Sequence, residues 1–372
     1  VSDPSHEQLR LSDAEKLDAP EQLSNLTWDS ALELLSRQAT MDSYLPDGIH
    51  VVDPRSGETT LFNRSRAFRP HDNAPENESR HTSSRHQGED SPACVICSGK
   101  TTSIIDRAPL SSGFTFINEN LFPVVHPRAA ASPPHWLKRV PGGSAIGLHF
   151  VQWTSSYHEA DWPELSPPDR VVVINRLAAL EERLMNLPGF PGEQRHVSIF
   201  KNVGRNVGGS MSHPHQQIAL SNTIPQRIRE DAEFRERRGH TFASFLLSHN
   251  PPELLVSDHE SGCLLVPFCM RRPYVLFYVL KDDTRSYLYQ TSPAQRVDIG
   301  QALADGMRIV SAALERMGRE PAYNIVFHTG SGAGLYLEFL PRSQEEGGFE
   351  KLGLNACQAW PPEAAQQLRE LL

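Results

Sequence analysis

The sequence predicts an α+β protein built from two fused copies of one unit. Apolar residues recur at helical spacing over 168–187 and again over 293–317. The stretch R-H-V-S-I-F-K-N-V-G in the first half is similar to P-A-Y-N-I-V-F-H-T-G in the second, which aligns Phe200 with Phe327. Each copy then reads strand, long helix, strand, glycine-rich turn, strand. A repeat this long and faint indicates duplication of one unit and not a solenoid.

The chain divides into four parts. Residues 1–63 predict an N-terminal helix and arm: Thr27 is placed to cap a helix from Trp28 to about Ala39, and a turn followed by apolar alternation predicts a hairpin within 46–61. Residues 64–92 have almost no aliphatic side chains, so we expect a flexible linker there. The two halves follow, over 93–222 and 223–372.

Short apolar stretches in both halves predict strands. The first set lies at 113–117, 144–153 and 196–201, and the second at 263–268, 273–281, 322–328 and 334–340. Pro168 near the start and Pro188 after the end bound the first long helix.

Composition excludes several classes of protein. A net charge of −9 argues against a nucleic-acid partner, because phosphate contacts need a basic surface. There is no run of 18 apolar residues and no signal peptide pattern, so we expect no membrane partner. The five cysteines are an odd count, which indicates reduced thiols and a cytoplasmic location.

The C-x-x-C formed by Cys94 and Cys97 is consistent with a redox pair, half of a zinc site, or chance. The apolar residues between the two cysteines, and the absence of a thioredoxin-like context, favour zinc. Two further ligands must then come from elsewhere, and composition does not choose among the 16 histidines. His213, beside the glycine-rich turn, and His158, just before the long helix, are placed to serve. A Cys2His2 set fills the tetrahedral coordination of zinc, which makes such a site structural.

The segment G-G-S-M-S-H-P-H-Q-Q presents His213 and His215 one residue apart. The two histidines could share a metal, could diverge with one at zinc and one at a cleft, or could be ordinary surface or core residues. The preceding Gly208 and Gly209 offer backbone N–H groups that can form an anion-binding nest. Ser210 and Gln217 add side-chain donors where a phosphoryl group would gain charge.

This context resembles a known family. F-K-N-V-G-R-N-V-G-G-S-M-S-H-P-H-Q-Q is similar to the active-site signature of the galactose-1-phosphate uridylyltransferases, in the nucleotidyltransferase branch of the histidine-triad (HIT) superfamily. The C-x-x-C and S-Y-H-E-A-D-W-P-E-L-S resemble the family's zinc-ligand segments. The resemblance implies two HIT-like halves, each an antiparallel sheet with a long helix, the second half being degenerate. It also implies structural zinc on Cys94, Cys97, His158 and His213.

The resemblance further implies that His215 attacks the α-phosphorus of a nucleoside diphosphate sugar and becomes nucleotidylated. Imidazole is a good neutral nucleophile near neutral pH. Gln217 and Ser210 match residues that bind the phosphoryl oxygens, and sugar 1-phosphate leaves before a second phosphate attacks. Two readings remain beside this one: a phosphorylase or hydrolase that uses phosphate or water, and a zinc-stabilised nucleotide-binding module without turnover.

Substrate contacts follow from the same resemblance. Asn120 in N-L-F-P and Asn202 match positions at the nucleotide, and Gly208 and Gly209 would present backbone donors. The C-terminal segment G-G-F-E-K-L-G-L-N-A resembles the family's sugar-binding segment and is closer to that of ADP-glucose phosphorylases. It makes Glu350 and Asn355 candidates for sugar-phosphate contacts.

A second metal is not expected. Asp231 and His328 match two positions of a further metal site found in several uridylyltransferases, but Tyr336 and Glu338 stand where histidines would be needed. Family members are usually homodimers whose sites are completed across the interface, so the resemblance implies a homodimer here.

Overall fold

The computed structural model describes residues 22–36, 48–63, 94–128 and 134–372. The predicted linker over 64–92 lies outside these residues. The helices are α1 (Gln22–Asn25), α2 (Trp28–Ser36), α3 (Pro167–Met185), α4 (Gln226–Arg238), α5 (Phe242–His249), α6 (Pro293–Arg316), α7 (Gly348–Lys351) and α8 (Pro361–Arg369). Short 3-10 turns occupy His135–Arg139, Arg205–Val207, Pro252–Leu254 and Leu288–Gln290. No helix in these ranges is both long enough and apolar enough to cross a membrane.

Most strands belong to one antiparallel sheet. They are β1 (Ile49–Val52), β2 (Thr59–Phe62), β3 (Ile104–Pro109), β4 (Phe114–Glu119), β5 (Gly142–Ser144), β6 (Gly147–Trp153), β7 (His196–Val203), β8 (His215–Ser221), β9 (Leu255–Asp258), β10 (Gly262–Leu265), β11 (Leu276–Leu280), β12 (Tyr323–His328) and β13 (Tyr336–Pro341). Ten of them form a sheet in the order β3-β4-β6-β8-β7-β12-β13-β11-β10-β9, and the other three form a small sheet in the order β2-β1-β5.

The large sheet has the internal symmetry that the repeat predicts. Counted outward from its centre, the first half runs β7-β8-β6-β4-β3 and the second β12-β13-β11-β10-β9, so equivalent strands occupy equivalent places. The halves meet where β7 pairs with β12, with Phe200 opposite Val326 and Phe327 opposite Ile199. Phe200 and Phe327 therefore point to opposite faces of the sheet, so the two strands are equivalent but the predicted residue-to-residue alignment is wrong by one position. The α+β fold with antiparallel sheets is confirmed, and the two half-sheets are joined edge to edge into one.

The two long helices lie together on one face of this sheet. Ser166 caps α3 by accepting from the Asp169 N–H, and Ser292 with Gln295 forms a capping box on α6. The helices contact each other, and most of the buried apolar side chains pack between them and the sheet. A smaller apolar cluster around Cys94, Phe116 and Trp153 lies on the other side of the first half. The site described below borders this smaller cluster.

Several boundaries differ from the expectation. The predicted strand over 144–153 forms as β6 but begins only at Gly147, because Ser144 belongs to β5, which pairs with β1 in the small sheet. The predicted hairpin in the N-terminal arm forms as β1 and β2, and the Thr27 Oγ1 accepts from the Ser30 N–H at the start of α2. The elements β3, β9, α1, α4, α5, α7 and α8 were not predicted. Among them, α4 carries one buried residue, Asp231, and so lacks a clear apolar stripe.

Candidate active site

Four predicted ligands converge beside β6 and β8. Cys94 and Cys97 lie on the turn before β3, His158 lies on the loop after β6, and His213 precedes β8. The Cys97 Sγ is 3.4 Å from the His158 Nδ1 and 3.5 Å from the His213 Nδ1, and the Cys94 Sγ is 3.7 Å from the His213 Nδ1. Tetrahedral zinc bonds would separate a sulfur from a nitrogen by about 3.6 Å. The four side chains therefore fit a closed tetrahedral metal site.

Neighbouring groups orient these ligands. The His213 Nε2 donates to the Ser155 carbonyl at 2.9 Å, which leaves Nδ1 on the side of the cysteines. The Ser212 hydroxyl is 3.3 Å from the His158 Nε2. Burial acts to raise the pKa of the Cys94 thiol, but hydrogen bonds with His158 and His213 outweigh it and lower this pKa to about 5. A thiolate at this position is the form that binds a metal.

His215 is the first residue of β8 and is buried. Its Nδ1 is 2.9 Å from the His213 carbonyl, which accepts the N–H and fixes a tautomer with the lone pair on Nε2. The His215 carbonyl accepts from the Lys201 Nζ at 3.1 Å, and this buried lysine pairs with the Asp161 carboxylate at 2.8 Å. The Trp153 ring lies 5.1 Å from the imidazole, centre to centre. The two histidines of the H-P-H segment therefore diverge, with His213 in the four-residue cluster and His215 beside it on β8. This is one of the three outcomes that the sequence left open.

A cavity of 330 Å³ opens beside His215. It lies on the sheet face opposite α3, because Gln152 and Gln216 point toward that helix while Trp153, His215 and Gln217 alternate to the other side. Its walls are Val95, Ile96, Lys100, Thr101, Thr102, Asn118, Glu119, Asn120, Leu121, Phe122, Val151, Trp153, Ser210, Met211, His215 and Gln217. Four predicted site residues, Asn120, Ser210, His215 and Gln217, thus share one cavity.

The glycine-rich loop before His213 is held in a compact turn. The Asn202 Nδ2 donates to the Gly208 carbonyl at 3.3 Å, and the Asn324 Nδ2 donates to the Asn202 Oδ1 at 2.8 Å. Gly208 has a φ of 89°, and a Cβ on Gly209 would come within 2.7 Å of the Gly204 carbonyl oxygen. The wall of the cavity does not include Asn202, Gly208 or Gly209. The backbone donors predicted for an anion nest are used within the loop, because the Gly208 N–H donates to the Arg205 carbonyl and the Gly209 N–H donates to the Gly204 carbonyl. The prediction that the two glycines present free donors is therefore wrong, and these three residues support the loop that carries Ser210.

The structure does not bring Glu350 and Asn355 to the cavity. The Glu350 carboxylate accepts from the backbone N–H groups of Gly347 and Ala356 at 2.7 and 3.0 Å, which closes a local turn in the C-terminal segment. Asn355 is exposed. A role for either residue at the substrate stays a prediction.

Sequence reasoning missed one side of the cavity. The Asn118 Nδ2 donates to the Thr101 and Thr102 hydroxyls, each at 2.7 Å, and its Oδ1 accepts from the Trp153 Nε1 at 2.8 Å. This network holds the indole that packs on His215. Lys100 adds a cation to the wall. The sequence offered one indication of this, because Lys100 follows the predicted metal ligand Cys97 by three residues and must therefore lie near the metal site.

Glu119 at the end of β4 is a buried acid with an unusual titration. It is 3% exposed, and neither carboxylate oxygen has a hydrogen-bond partner in the described part of the chain. Burial raises its pKa to about 8, so the folded protein keeps a proton that the unfolded chain releases above its ordinary value of 4.5. The stability that this group contributes is complete below pH 4.5 and is lost as the pH rises toward 8.

We therefore expect Glu119→Gln to stabilise the fold increasingly as the pH rises. Between about pH 5 and about pH 7 the variant should gain about 3 kcal/mol in unfolding free energy relative to the wild type. Thermal melts over that range measure the difference, and Glu315→Gln, at an exposed position on α6, is the control. Parallel curves for wild type and Glu119→Gln would contradict the assignment.

The residues at the second metal position form an ion-pair network. The His328 Nε2 is 2.9 Å from the Glu338 Oε2, and its Nδ1 is 3.4 Å from the Asp231 Oδ2. Burial acts to lower the pKa of His328, but its hydrogen bonds and attraction to the two carboxylates outweigh burial and raise this pKa. The Tyr336 hydroxyl donates to Asp231 at 3.2 Å. The histidine, the two carboxylates and the phenol therefore hold one another in a single buried network.

Comparison with known proteins finds relatives of one kind. The family model of the galactose-1-phosphate uridyl transferase N-terminal domain matches residues 42–225. The ADP-glucose phosphorylase of Arabidopsis thaliana is 23% identical over 340 residues, which cover 86% of this chain and 92% of the relative. The galactose-1-phosphate uridylyltransferase of Rattus norvegicus is 28% identical over 263 residues, and the match covers 68% of this chain and 65% of the relative.

Solved structures show the same fold. A uridylyltransferase structure matches with a TM-score of 0.66 at 20% identity and covers 87% of this chain and 98% of its own. The Arabidopsis thaliana ADP-glucose phosphorylase, solved with bound ADP-glucose, has a TM-score of 0.61 at 19% identity and covers 87% and 99%. The chain belongs to the galactose-1-phosphate uridylyltransferase-like proteins of the histidine-triad superfamily.

Proposed function

We propose that this protein transfers a nucleoside monophosphate from a nucleoside diphosphate sugar, or a nucleoside triphosphate, to a phosphate-bearing acceptor. The transfer passes through a covalent nucleotidyl-histidine at His215. The observation that carries the proposal is the hydrogen bond from the His215 Nδ1 to the His213 carbonyl, in a residue that lines a cavity with Ser210 and Gln217. Simple nucleotide binding needs no such tautomer control.

In the first step the His215 Nε2 lone pair attacks the α-phosphorus of the donor. The N–P bond forms as the bond from the α-phosphorus to the bridging oxygen breaks, and the leaving group takes that electron pair as sugar 1-phosphate from a nucleoside diphosphate sugar or as pyrophosphate from a nucleoside triphosphate. The imidazolium charge that develops is stabilised through Nδ1 by the His213 carbonyl. We propose that the Ser210 hydroxyl and the Gln217 amide, which line the same cavity, donate to the phosphoryl oxygens, and that Lys100 adds a positive charge there.

In the second step a phosphate oxygen of the acceptor attacks the same phosphorus, and the N–P bond breaks. A sugar 1-phosphate acceptor returns a nucleoside diphosphate sugar, whereas inorganic phosphate gives a nucleoside diphosphate. Inorganic phosphate as the acceptor is favoured by the match to ADP-glucose phosphorylase, which spans 86% of this chain. Water as acceptor would make the protein a hydrolase.

A structural zinc ion on Cys94, Cys97, His158 and His213 is part of the proposal. A metal with four protein ligands has no open position, so it would contribute rigidity and no chemistry. His213 is both a ligand candidate and the residue whose carbonyl holds His215. Holding His213 in place therefore also orients the nucleophile. Reduced thiols are needed for this site, so we propose the cytoplasm as its compartment.

We propose that a second copy of the chain supplies residues that bind the acceptor at the active site. The C-terminal segment carries exposed apolar side chains, with Phe349 63%, Leu352 85%, Leu354 63% and Trp360 73% exposed. This segment also holds Glu350 and Asn355, which do not reach the cavity of their own chain. Sedimentation of the full chain tests the homodimer, and a monomer at all concentrations would contradict it.

Donor and acceptor are tested together by a panel of labelled UDP-, ADP- and GDP-sugars. With enzyme in excess and no acceptor, the true donor should release one sugar 1-phosphate per active site and then stop. Inorganic phosphate, sugar 1-phosphate or no addition then identifies the acceptor by the product formed. Release that requires the acceptor from the start would contradict a two-step reaction, and no release from any donor would favour a binding module.

A further inference from the structure

The second half contains its own cavity, at the place equivalent to the candidate active site. It measures 370 Å³ and is lined by Arg227, Glu230, Asp231, Phe234, Arg237, Phe242, Pro267, Cys269, Arg271, Arg272, Val275, Phe277, Tyr336, Glu338 and Leu340. The first cavity lies against β6 and β8, and this one lies against β11 and β13, their counterparts in the sheet order. Phe339 contacts Gly306 of α6, so the adjacent Glu338 points to the opposite face, as His215 and Gln217 do in the first half.

The nucleophile has no counterpart in this second cavity. Tyr336 and Glu338 hold the places on β13 that His215 and Gln217 hold on β8. The Tyr336 hydroxyl is bound to Asp231, and the Glu338 carboxylate is bound to the buried His328. Burial and the nearby carboxylates raise the pKa of Tyr336 well above its ordinary value, so the phenol stays protonated. At the places of His215 and Gln217, the described wall of this cavity therefore has no side chain that is free to attack a ligand.

Arginine is concentrated around this cavity, although the chain as a whole carries a net charge of −9. Arg227, Arg237 and Arg271 have no hydrogen bond or ion pair to any residue that the structure describes. Two other arginines of α4 do have such partners, because Arg229 donates to the Gly57 carbonyl and Arg235 donates to the Ser331 carbonyl.

The acidic residues of the wall do not neutralise these arginines by direct contact. Asp231 and Glu338 are engaged by Tyr336 and His328, and the Glu230 Oε1 accepts from the Gln226 Nε2 at 3.3 Å. The fourth arginine, Arg272, pairs with Glu346 at 3.0 Å. Three guanidinium groups therefore remain to bind an anion, and guanidinium binds phosphate well through paired N–H donors.

The remaining wall is aromatic. Phe234, Phe242 and Phe277 line the cavity, and the Phe277 ring stacks on Tyr336 with 5.4 Å between centres. Aromatic walls favour a planar ring, and an arginine rim favours phosphate oxygens. A volume of 370 Å³ falls within the usual range for small-molecule sites.

We propose that this second cavity is a non-catalytic binding site for a nucleoside phosphate. The base would pack against the phenylalanines, and the phosphates would lie between Arg227, Arg237 and Arg271. The site is separate from the cavity at His215, and the proposal does not depend on the chemistry proposed there.

Cys269 provides a reporter within the cavity wall, since it is exposed and lines the site. The test follows alkylation of Cys269 by iodoacetamide in the full chain, by peptide mass spectrometry, with Cys357 as an internal reference. AMP or UMP at about ten times the dissociation constant should slow Cys269 alkylation about tenfold and leave Cys357 unchanged. An unchanged rate with both nucleotides would overturn the proposal.

The arginines are tested by the Arg227→Ala/Arg271→Ala variant. The control is Arg238→Ala, which changes an exposed arginine that lies on α4, the helix that carries Arg227, and does not line the cavity. The double variant should need at least about tenfold more nucleotide for the same protection, and Arg238→Ala should match the wild type. Equal protection in all three proteins would overturn the role of the arginines. Equal protection by inorganic phosphate would overturn the nucleoside assignment. Melting temperatures equal to that of the wild type show that the variants fold.

Discussion

His215→Ala is expected to abolish nucleotidyl transfer, with a fall in kcat of about 10⁴-fold or more. The variant removes the one histidine among the described residues of the cavity wall, whose Nδ1–H is held by the His213 carbonyl so that Nε2 is left to attack. Donor binding should persist, because Ser210, Gln217 and Lys100 remain. Steady-state turnover of the donor identified by the panel, together with its dissociation constant, measures both effects.

Two further variants separate loss of the nucleophile from loss of the fold. His249→Ala changes an exposed histidine on α5, outside the cavity at His215, and should leave turnover unchanged. His215→Gly leaves space in which added imidazole can act as the nucleophile, so partial recovery of sugar 1-phosphate release is expected. Turnover by His215→Ala within tenfold of the wild type would contradict the assignment.

Cys97→Ser is expected to cause the largest loss of stability. Cys97 Sγ lies within 3.5 Å of two histidine nitrogens, so its removal takes away a shared ligand of the proposed zinc site. Structural zinc binding is coupled to folding, and we expect a loss of at least about 3 kcal/mol in unfolding free energy. Thermal melting and zinc content per chain measure the change. Activity should fall as well, because His213 would no longer hold His215 rigidly.

The matched control is Cys269→Ser, an exposed cysteine outside the four-residue cluster. This variant should keep one zinc ion per chain and the wild-type melting temperature. A chelator should lower the melting temperature of the wild type toward that of Cys97→Ser and have little further effect on that variant. Wild-type protein that purifies without zinc and melts identically with a chelator would contradict the metal assignment.

The duplication could be predicted because short stretches of the sequence are similar in the two halves. Helical spacing marked α3 and α6, and the match around Phe200 and Phe327 marked two equivalent strands. How the copies join could not be predicted from these patterns. Pairing of β7 with β12 is a contact between residues more than a hundred positions apart, and periodicity carries no information about it.

The candidate site was predictable to the extent that short motifs fix geometry. The C-x-x-C turn and the H-P-H segment contain the chemistry of Cys94, Cys97, His213 and His215 in a few residues. His158 needed the resemblance, because one histidine among 16 has no distinguishing signal of its own. The support of Trp153 by Asn118 depends on which strands are neighbours, and so does the burial of Glu119. The second cavity was hidden for the same reason, since its arginines come from α4 and from the turn after β10.

The central claim is that His215 carries the nucleotide during turnover, and site-specific mass spectrometry tests it most directly. The full chain is mixed with its donor in the absence of acceptor, quenched without acid, digested and analysed. The account predicts one added nucleoside monophosphate on the peptide that contains His215, lost when acceptor phosphate is added and absent from His215→Ala. Sugar 1-phosphate release without this adduct, or with the adduct on another residue, would contradict it.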